Sequence, residues 1–409
     1  MKAFVEAYGC TLNFGESREI EDLLVSKGWD LVDDPSESDL VVLATCVVIE
    51  TTERAMLKRI KELSGVKRLL ITGCMATACR EKAERVAHGV EFFSPGDLES
   101  FSGLIDSFDG RGREVLRDSY GIVPIATGCK GSCSYCITRL ARGELRSRPQ
   151  SRIIDAVRRA ASDGPREIQI TAQDTAAYGS DIKSDLPTLI GRICREPLDF
   201  RLRIGMMNPR SALPISDKIA EMYLERKVFK FLHLPIQSAS DGVLDDMERG
   251  YSVDDFKSVV DRIHEKTPRI TLSTDLIVGY PRESATDHRL NLEFITELKP
   301  DIVNVTRFSA RPGTKAADAK GQIVGWMAKD RSREMTELRF KVALERNRAW
   351  IGERSNALST ERGKKRGTIL RNDEYKQIVV PESLPLGEFY EIEITGATAT
   401  YLTGSRVGR

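Results

Sequence analysis

Gly128-Cys129-Lys130-Gly131-Ser132-Cys133-Ser134-Tyr135-Cys136 decides how the rest of the chain is read. Three thiolates within eight residues wrap a single metal centre but supply only three ligands. A 4Fe–4S cluster held by three cysteines leaves one iron open to a ligand from outside the chain. Structural zinc takes four protein ligands, and no histidine or fourth cysteine lies nearby to complete that set. The spacing, three residues and then two, also differs from the ferredoxin runs. A site with one open iron suits the binding of a chelating small molecule.

Outward from this loop the chain alternates strand-like and helix-like stretches. Strand candidates fall at 121–126, 166–172, 200–206, 229–234, 269–278 and 301–308, separated by helical patterns. Capping-box spacings open two of those helices, Ser252 with Asp255 and Ser284 with Asp287. Six β-α units are too few for a closed eight-unit barrel, so the expectation is a partial, open one. Upstream, Ala3 to Tyr8, Leu40 to Thr45 and Arg68 to Thr72 read as short buried strands rich in Val, Leu and Ile. Helical spacing of Ile20, Leu23 and Leu24, and of Met56, Ile60 and Leu63, lies between them. This is the pattern of a parallel sheet covered by helices. Asp109-Gly-Arg-Gly-Arg-Glu114 has the composition of a linker. Beyond Trp350, short strands at Gly367 to Leu370, Gln377 to Val380, Phe389 to Thr395 and Tyr401 to Arg406 suggest a small antiparallel barrel.

The fold class expected is therefore α/β, in three domains. Residues 1–110 form a parallel-sheet α/β domain, 120–350 a partial (β/α)6 barrel, and 351–409 a small antiparallel β-barrel. The chain has 409 residues, 41% of them hydrophobic and 30% charged, a composition that excludes disordered and fibrous classes. Lys+Arg 62 against Asp+Glu 61 leaves a net charge of +1, so any electrostatic partner signal is local. The longest apolar run, Leu40 to Ile49, is too short to span a bilayer, and no signal-peptide pattern opens the chain. A cytoplasmic protein with no membrane partner is expected. The eight cysteines (10, 46, 74, 79, 129, 133, 136 and 194) are too dilute for a disulfide scaffold and suggest metal or redox chemistry.

Cys10, Cys46 and Cys74 each follow a predicted parallel strand closely. The carboxyl ends of such strands share one edge, so three thiolates far apart in sequence can converge there, although buried cysteines are also common in strands. Cys79 and Cys194 read as bystander or core thiols.

The C-x3-C-x2-C loop after the first strand of a partial barrel resembles the radical S-adenosylmethionine superfamily. In that family the open iron binds S-adenosylmethionine, and Tyr135 takes the position of an aromatic near the adenine. The flanks Tyr8-Gly-Cys10-Thr-Leu-Asn13, Ala44-Thr45-Cys46 and Thr72-Gly-Cys74-Met-Ala76 resemble the methylthiotransferases, which carry a second, auxiliary 4Fe–4S cluster. His233-Leu-Pro-Ile-Gln237-Ser238, Asp275-Leu-Ile-Val-Gly279-Tyr-Pro281-Arg-Glu283 and Phe308-Ser-Ala-Arg311-Pro-Gly313-Thr314 are similar to that family's barrel motifs, and the terminal barrel to its RNA-binding TRAM domain. Ala44 and Ala239 depart from the family pattern, as does Met206-Met207-Asn208. The resemblance implies two 4Fe–4S clusters, one on Cys10, Cys46 and Cys74 and one on Cys129, Cys133 and Cys136. It also implies S-adenosylmethionine contacts from Tyr135, Gln173, Gln237 and Asp275. Asp174 and Glu283 are further candidates for binding cofactor or positioning substrate. The chemistry is cluster-borne, and no acid–base catalytic residue is assigned.

Two local runs are strongly basic. Cys129 to Arg152 holds Lys130, Arg139, Arg142, Arg146, Arg148 and Arg152 against Glu144. Arg354 to Arg371 holds Arg354, Arg362, Lys364, Lys365, Arg366 and Arg371 against Glu361. Such runs fit phosphate contacts, and a base leaves its stack most readily from a single-stranded loop. Cys136-Ile-Thr-Arg139-Leu-Ala-Arg142-Gly143 resembles the archaeal and eukaryotic branch of the methylthiotransferases. That branch adds methylthio at C2 of N6-threonylcarbamoyladenosine at position 37, in the anticodon loop of tRNA. Arg139, Arg142, Lys364, Lys365 and Arg366 are the expected RNA contacts, with Arg139 and Arg142 meeting the threonyl carboxylate or a phosphate. A sulfur donor and a one-electron reductant such as ferredoxin or flavodoxin are the other partners implied. Isopentenyl-adenosine tRNA, an Asp of a ribosomal protein, and a non-catalytic RNA-binding Fe–S scaffold are the alternatives.

Overall fold

A computed structural model describes residues 1–108, 112–113, 120–162, 166–363 and 366–408. Most of the expected linker, and Lys364 and Lys365, fall outside the described residues. The chain divides into two compact units: Met1–Arg117 with Ala126–Arg146 and Ser309–Asp318, and the remainder.

The first unit is built on a five-stranded parallel sheet of β1 (Lys2–Ala7), β2 (Asp30–Leu31), β3 (Leu40–Thr45), β4 (Leu69–Gly73) and β5 (Glu91–Phe92), in the order β2-β1-β3-β4-β5. All six residues of central β3 are buried, as a strand covered on both faces requires. Side chains alternate between the faces: Leu40 and Val42 join a core with Ile20, Leu24, Trp29 and Phe101, while Val41 and Leu43 join another with Met56, Ile60 and Met75. Around the sheet run α1 (Thr11–Ser26), α2 (Glu50–Glu62), α3 (Cys74–Ala78), α4 (Arg80–Val86) and α5 (Leu98–Leu104). Helix α6 (Ile137–Arg142) adds Ile137 and Ala141 to the second core.

The second unit contains β6 (Tyr120–Pro124), β9 (Glu167–Thr171), β10 (Arg201–Ile204), β11 (Phe231–His233), β12 (Thr271–Val278) and β13 (Ile302–Arg307). The short strands β7 (Ala126–Thr127) and β8 (Arg146–Ser147) intervene in sequence. The six form two three-stranded parallel sheets, β10-β9-β6 and β11-β12-β13, linked by a parallel bridge from Leu202 to Val228. Helices α7 (Gln150–Ser162), α8 (Leu186–Cys194), α9 (Pro209–Ala212), α10 (Ser216–Met222), α11 (Asp241–Asp246), α12 (Val253–Lys266) and α13 (Ala285–Leu298) fill the connections. Both expected capping boxes are present, on α12 and α13. Helix α14 (Gly325–Arg348) then leads into the terminal barrel. Among the described residues no helix is long and apolar enough to cross a membrane.

The terminal barrel differs from its expected form in two respects. It has a fifth strand, β14 (Arg354–Arg362), inside the stretch read only as a basic run. The others are β15 (Thr368–Asn372), β16 (Gln377–Val380), β17 (Phe389–Ala397) and β18 (Leu402–Arg406). The ring closes as β14-β15-β16-β18-β17. A closed ring with an odd number of strands cannot alternate direction throughout, so one pair is parallel: Ile378 and Val379 lie beside Leu402 and Thr403.

The turn between β15 and β16 anchors this barrel on the amino-terminal ends of the β/α strands. Tyr375 packs at a tilt against Phe229 and Phe231, ring centroids 4.9 and 5.1 Å away, and its hydroxyl donates to Glu167 at 2.5 Å. Lys376 donates to Asp301 at 2.6 Å and to Asn347 at 3.0 Å. Asp301 also accepts from the Leu272 amide at 3.0 Å and pairs with Arg346. Burial opposes the Asp301 charge, but Lys376 and Arg346 outweigh it and hold the carboxyl below its ordinary value. Asp301→Ala leaves Lys376 buried without its counterion and is expected to cost about 3–5 kcal/mol in denaturant unfolding. Because the folded-state value is depressed, this stabilisation is present above the ordinary carboxylate range. It is lost as pH falls through the folded value, so the gap between wild type and variant should narrow in acid.

Candidate functional site

In the first unit, β1, β3 and β4 are neighbours, and each leads within three residues to a cysteine. Cys10 caps the amino terminus of α1, Cys46 directly follows β3, and Cys74 opens α3 directly after β4. Hydrogen bonds tie the three loops together. Asn13 Nδ2 donates to the Tyr8 carbonyl at 2.7 Å and to the Thr45 carbonyl at 2.9 Å, joining the Cys10 loop to the Cys46 loop. Thr45 Oγ1 donates to the Thr72 carbonyl at 2.5 Å and accepts from the Met75 amide at 3.3 Å, adding the Cys74 loop. Gly9, at φ +107°, leaves the space that Cys46 needs: a Cβ there would lie 2.6 Å from Cys46 Cβ and 2.9 Å from its sulfur. Burial raises the Cys46 thiol and pushes the Cys74 thiol up to about 12; Cys74 also feels the charges of Cys10 and Cys46.

Arg142 supplies the opposing charge. Its Nη1 and Nη2 donate to the two Glu16 oxygens at 2.6 and 2.8 Å, and Nη2 donates to Asn13 Oδ1 at 2.5 Å. Its positive charge opposes the rise that burial imposes on the Cys74 thiol. With its side chain 0% exposed, Arg142 is not placed to meet a phosphate or a threonyl carboxylate at the surface, contrary to expectation. Its charge is committed to Glu16, on a helix that starts beside Cys10.

The C-x3-C-x2-C loop shows a similar economy. The Gly131 amide donates to Cys129 Sγ at 3.3 Å, and a Cβ at Gly131 would sit 3.5 Å from Cys129 Sγ and 3.6 Å from Cys133 Sγ. Cys136 caps α6. Arg139 Nη1 donates to the Cys129 carbonyl and, at 3.3 Å, to the Gly143 carbonyl, while Nη2 meets Glu144 at 3.0 Å. Arg139 therefore braces this loop, with part of its side chain still reaching solvent. Tyr135 is half-buried, and Arg366 is exposed. Among the described residues, no three His, Cys, Asp or Glu side chains stand close enough for a single metal ion. A four-iron cube spreads its thiolates more widely. Free thiols in two sets of three, with glycine-made space and buried counter-charge, fit two such groups.

In the second unit the candidates follow the carboxyl ends of strands or lie along them. Gln173 follows β9, and its Oε1 is buried with no hydrogen-bond partner among the described residues, an orphan that a bound ligand would satisfy. Gln237 has φ +72°, a conformation that a non-glycine residue adopts rarely and at a cost. Its amide donates to the Asp275 carbonyl at 2.8 Å. Asp275 accepts from Asn304 Nδ2 at 2.7 Å and lies 3.0 Å from His233 Nε2. Burial raises its carboxyl, but His233 and Asn304 outweigh that and hold it below the ordinary value. Asp174 and Glu283 are committed to the fold. Asp174 accepts from the Asn208 amide at 3.0 Å and Ser211 at 2.7 Å; Glu283 accepts from the Gly279 amide and Arg331, both at 2.6 Å. These are strand-end and loop braces rather than free ligands.

A partial barrel of parallel strands together with a three-cysteine loop defines the radical S-adenosylmethionine class of enzymes. Residues 123–295 match the Radical SAM superfamily, and residues 2–94 match the Uncharacterized protein family UPF0004. The fold is similar to that of TsrM, a radical S-adenosylmethionine methyltransferase from Kitasatospora setae, at a TM-score of 0.59 and 14% identity over 77% of each chain. A "Probable threonylcarbamoyladenosine tRNA methylthiotransferase" of Pyrococcus horikoshii is 37% identical over 99% of both chains. The threonylcarbamoyladenosine tRNA methylthiotransferase of Homo sapiens is 30% identical over 99% of this chain and 74% of its own. The protein belongs to the threonylcarbamoyladenosine tRNA methylthiotransferase family.

Asn13, Thr45 and Glu16 were not assigned a role from sequence, although Asn13 and Thr45 stand in the stretches quoted around the cysteines. Asn13→Ala strands two loop carbonyls and one guanidinium N–H. Unfolding in urea should show a loss of about 1–3 kcal/mol.

Proposed function

We propose that the protein inserts a methylthio group at C2 of N6-threonylcarbamoyladenosine at position 37 of tRNA. The observation that carries this is a match over nearly the whole chain to relatives named for that reaction, with two three-thiol sets in place. In this assignment Cys129, Cys133 and Cys136 hold one 4Fe–4S cluster, and Cys10, Cys46 and Cys74 hold the auxiliary one. When bound, the clusters and S-adenosylmethionine supply the radical and the sulfur that acid–base groups cannot, because an aromatic C–H has neither an acidic proton nor a leaving group.

The chain's own residues orient these groups and keep water out. Tyr135, Gln173, Gln237 and Asp275 are assigned to S-adenosylmethionine, with the orphaned Gln173 Oε1 as an acceptor for one of its N–H or O–H groups. Asp275, held ionised by His233 and Asn304, presents a fixed negative charge. Arg139 acts by bracing the Cys129 loop. RNA contact is assigned to Arg366, Lys364 and Lys365 and to the exposed members of the first basic run. The division of labour follows residues 1–110 for the auxiliary cluster, 120–350 for the radical barrel and 351–409 for a TRAM-like RNA-binding barrel. A sulfur donor, and a one-electron reductant such as ferredoxin or flavodoxin, complete the partners of a cytoplasmic enzyme.

The test is anaerobic incubation of cluster-reconstituted protein with S-adenosylmethionine, a reductant and tRNA carrying threonylcarbamoyladenosine, followed by mass spectrometry of the nucleosides. Wild type should add one CH2S unit to that nucleoside. Cys46→Ala should abolish the gain yet still release 5′-deoxyadenosine, and Cys133→Ala should abolish both. Addition only when tRNA carrying isopentenyl-adenosine is supplied in its place would move the substrate assignment.

A further inference from the structure

Gln237, in the second unit shortly after β11, is held in a conformation that costs energy. Among the described residues six that are not glycine have positive φ, and five of them, such as Lys299 at the end of α13, lie in turns or at helix ends. Gln237, at φ +72°, is instead bridged to Leu276 of β12. Its amide donates to the Asp275 carbonyl at 2.8 Å, and its carbonyl accepts from the Ile277 amide at 2.9 Å. From Leu234 to Ser240 every other residue is buried, and only Gln237 reaches solvent. Strain of this kind persists where the surroundings over-determine it. Helix α13 supplies the restraint. Asn291, 0% exposed, accepts from the Ala239 amide on Oδ1 at 2.6 Å. One turn earlier Asp287 Oδ1 accepts from Ser240 Oγ at 2.6 Å, and residues four apart share a helix face. Ser238 Oγ accepts from the Ser240 amide at 3.2 Å and closes the turn. Asn291 is itself fixed: its Nδ2 donates to Glu283 Oε1 at 3.4 Å, and Arg331 holds Glu283.

We propose that Asn291, with Asp287, is a positioning residue for S-adenosylmethionine: the two side chains clasp Ala239 and Ser240 and so hold Gln237 in the conformation in which its side chain meets that cofactor. A non-glycine residue left to itself prefers negative φ, and that rotation would carry the Gln237 side chain away from its place along β12. Fixing it beforehand removes the cost of ordering it from the binding step. Asn291 is wholly buried, so it acts through Gln237 and not by touching the cofactor.

This inference rests on the proposed assignment of Gln237 to S-adenosylmethionine, and the test separates the two. Full-length, cluster-reconstituted protein is titrated anaerobically with S-adenosylmethionine in a calorimeter, without reductant so that the cofactor stays whole. Iron per chain is counted for every variant. Gln237→Ala and Asn291→Ala should each load iron as the wild type does and weaken binding about tenfold. The double variant should bind no more weakly than either single one, because a side chain already removed cannot be misplaced. A general loosening of the barrel would instead make the two losses multiply, to about a hundredfold. That result would overturn the inference, as would wild-type affinity in Asn291→Ala. Should Asn291→Ala fail to load iron, Ser240→Ala takes its place in the same cycle, since it removes the bond to Asp287 and leaves the capping box of α13 intact. A loss of about threefold that vanishes once Gln237 is Ala would then support the clasp. Wild-type affinity, or a loss that persists in the double variant, would overturn it. Wild-type affinity in Gln237→Ala would refute the assignment of Gln237 itself, and the inference with it.

Discussion

The ion pair between Arg142 and Glu16 is the constraint on which the first unit depends. A guanidinium removed from water is costly unless geometry and hydrogen bonds repay its desolvation. Here repayment comes from a two-pronged contact with Glu16 and a third bond to Asn13. The pair has consequences beyond its own energy, because of where its members stand. Glu16 and Asn13 lie on the helix capped by Cys10, and Arg142 ends the helix capped by Cys136. One buried contact therefore fixes two helices that each begin at a proposed cluster ligand. Asn13 extends the same connection into the Cys46 loop, and Thr45 carries it to the Cys74 loop.

Sheet topology explains why three cysteines so far apart meet at all. In a parallel sheet every strand delivers its carboxyl end to the same edge, and β1, β3 and β4 are direct neighbours. In the second unit the same directionality separates tasks along the strands. The amino-terminal ends are sealed by the β15–β16 turn, with Tyr375 on two phenylalanines and Lys376 on Asp301. The terminal barrel is thus fixed at the end opposite to the one that carries Gln173 and Gln237.

Much of this was legible because the signals were local. β3 is a continuous apolar run, the capping boxes are three residues apart, and C-x3-C-x2-C sits within eight residues. What escaped was set by distance or by mixed character. Arg142 belongs to a basic run that suggests a solvated, RNA-facing surface, yet its counterion is 126 positions away, and no local pattern announces that. Asp174 and Glu283 stand at strand ends where ligands are expected, but nearby backbone amides claim them first. β14 carries basic and polar residues through the strand read only for its charge. Its buried Ala357, Leu358 and Ser359 become recognisable only when the ring closes.

These placements alter how the charge runs bear on RNA. Of the six basic residues from Lys130 to Arg152, Arg142 is buried and neutralised, and Arg139 is bonded to its own loop and to Glu144. Lys130, Arg146 and Arg152 remain exposed. In the terminal barrel Arg354 and Arg371 pair with Glu393 and Glu361, and Arg362 is bonded to Ser383 and the Leu384 carbonyl. Counterion release depends on how many cations are free to meet phosphates, so formal charge along the sequence overstates the attraction. The cations nearest the cysteines are committed to contacts within the fold; those that solvent can reach are the ones still accessible to a polyanion.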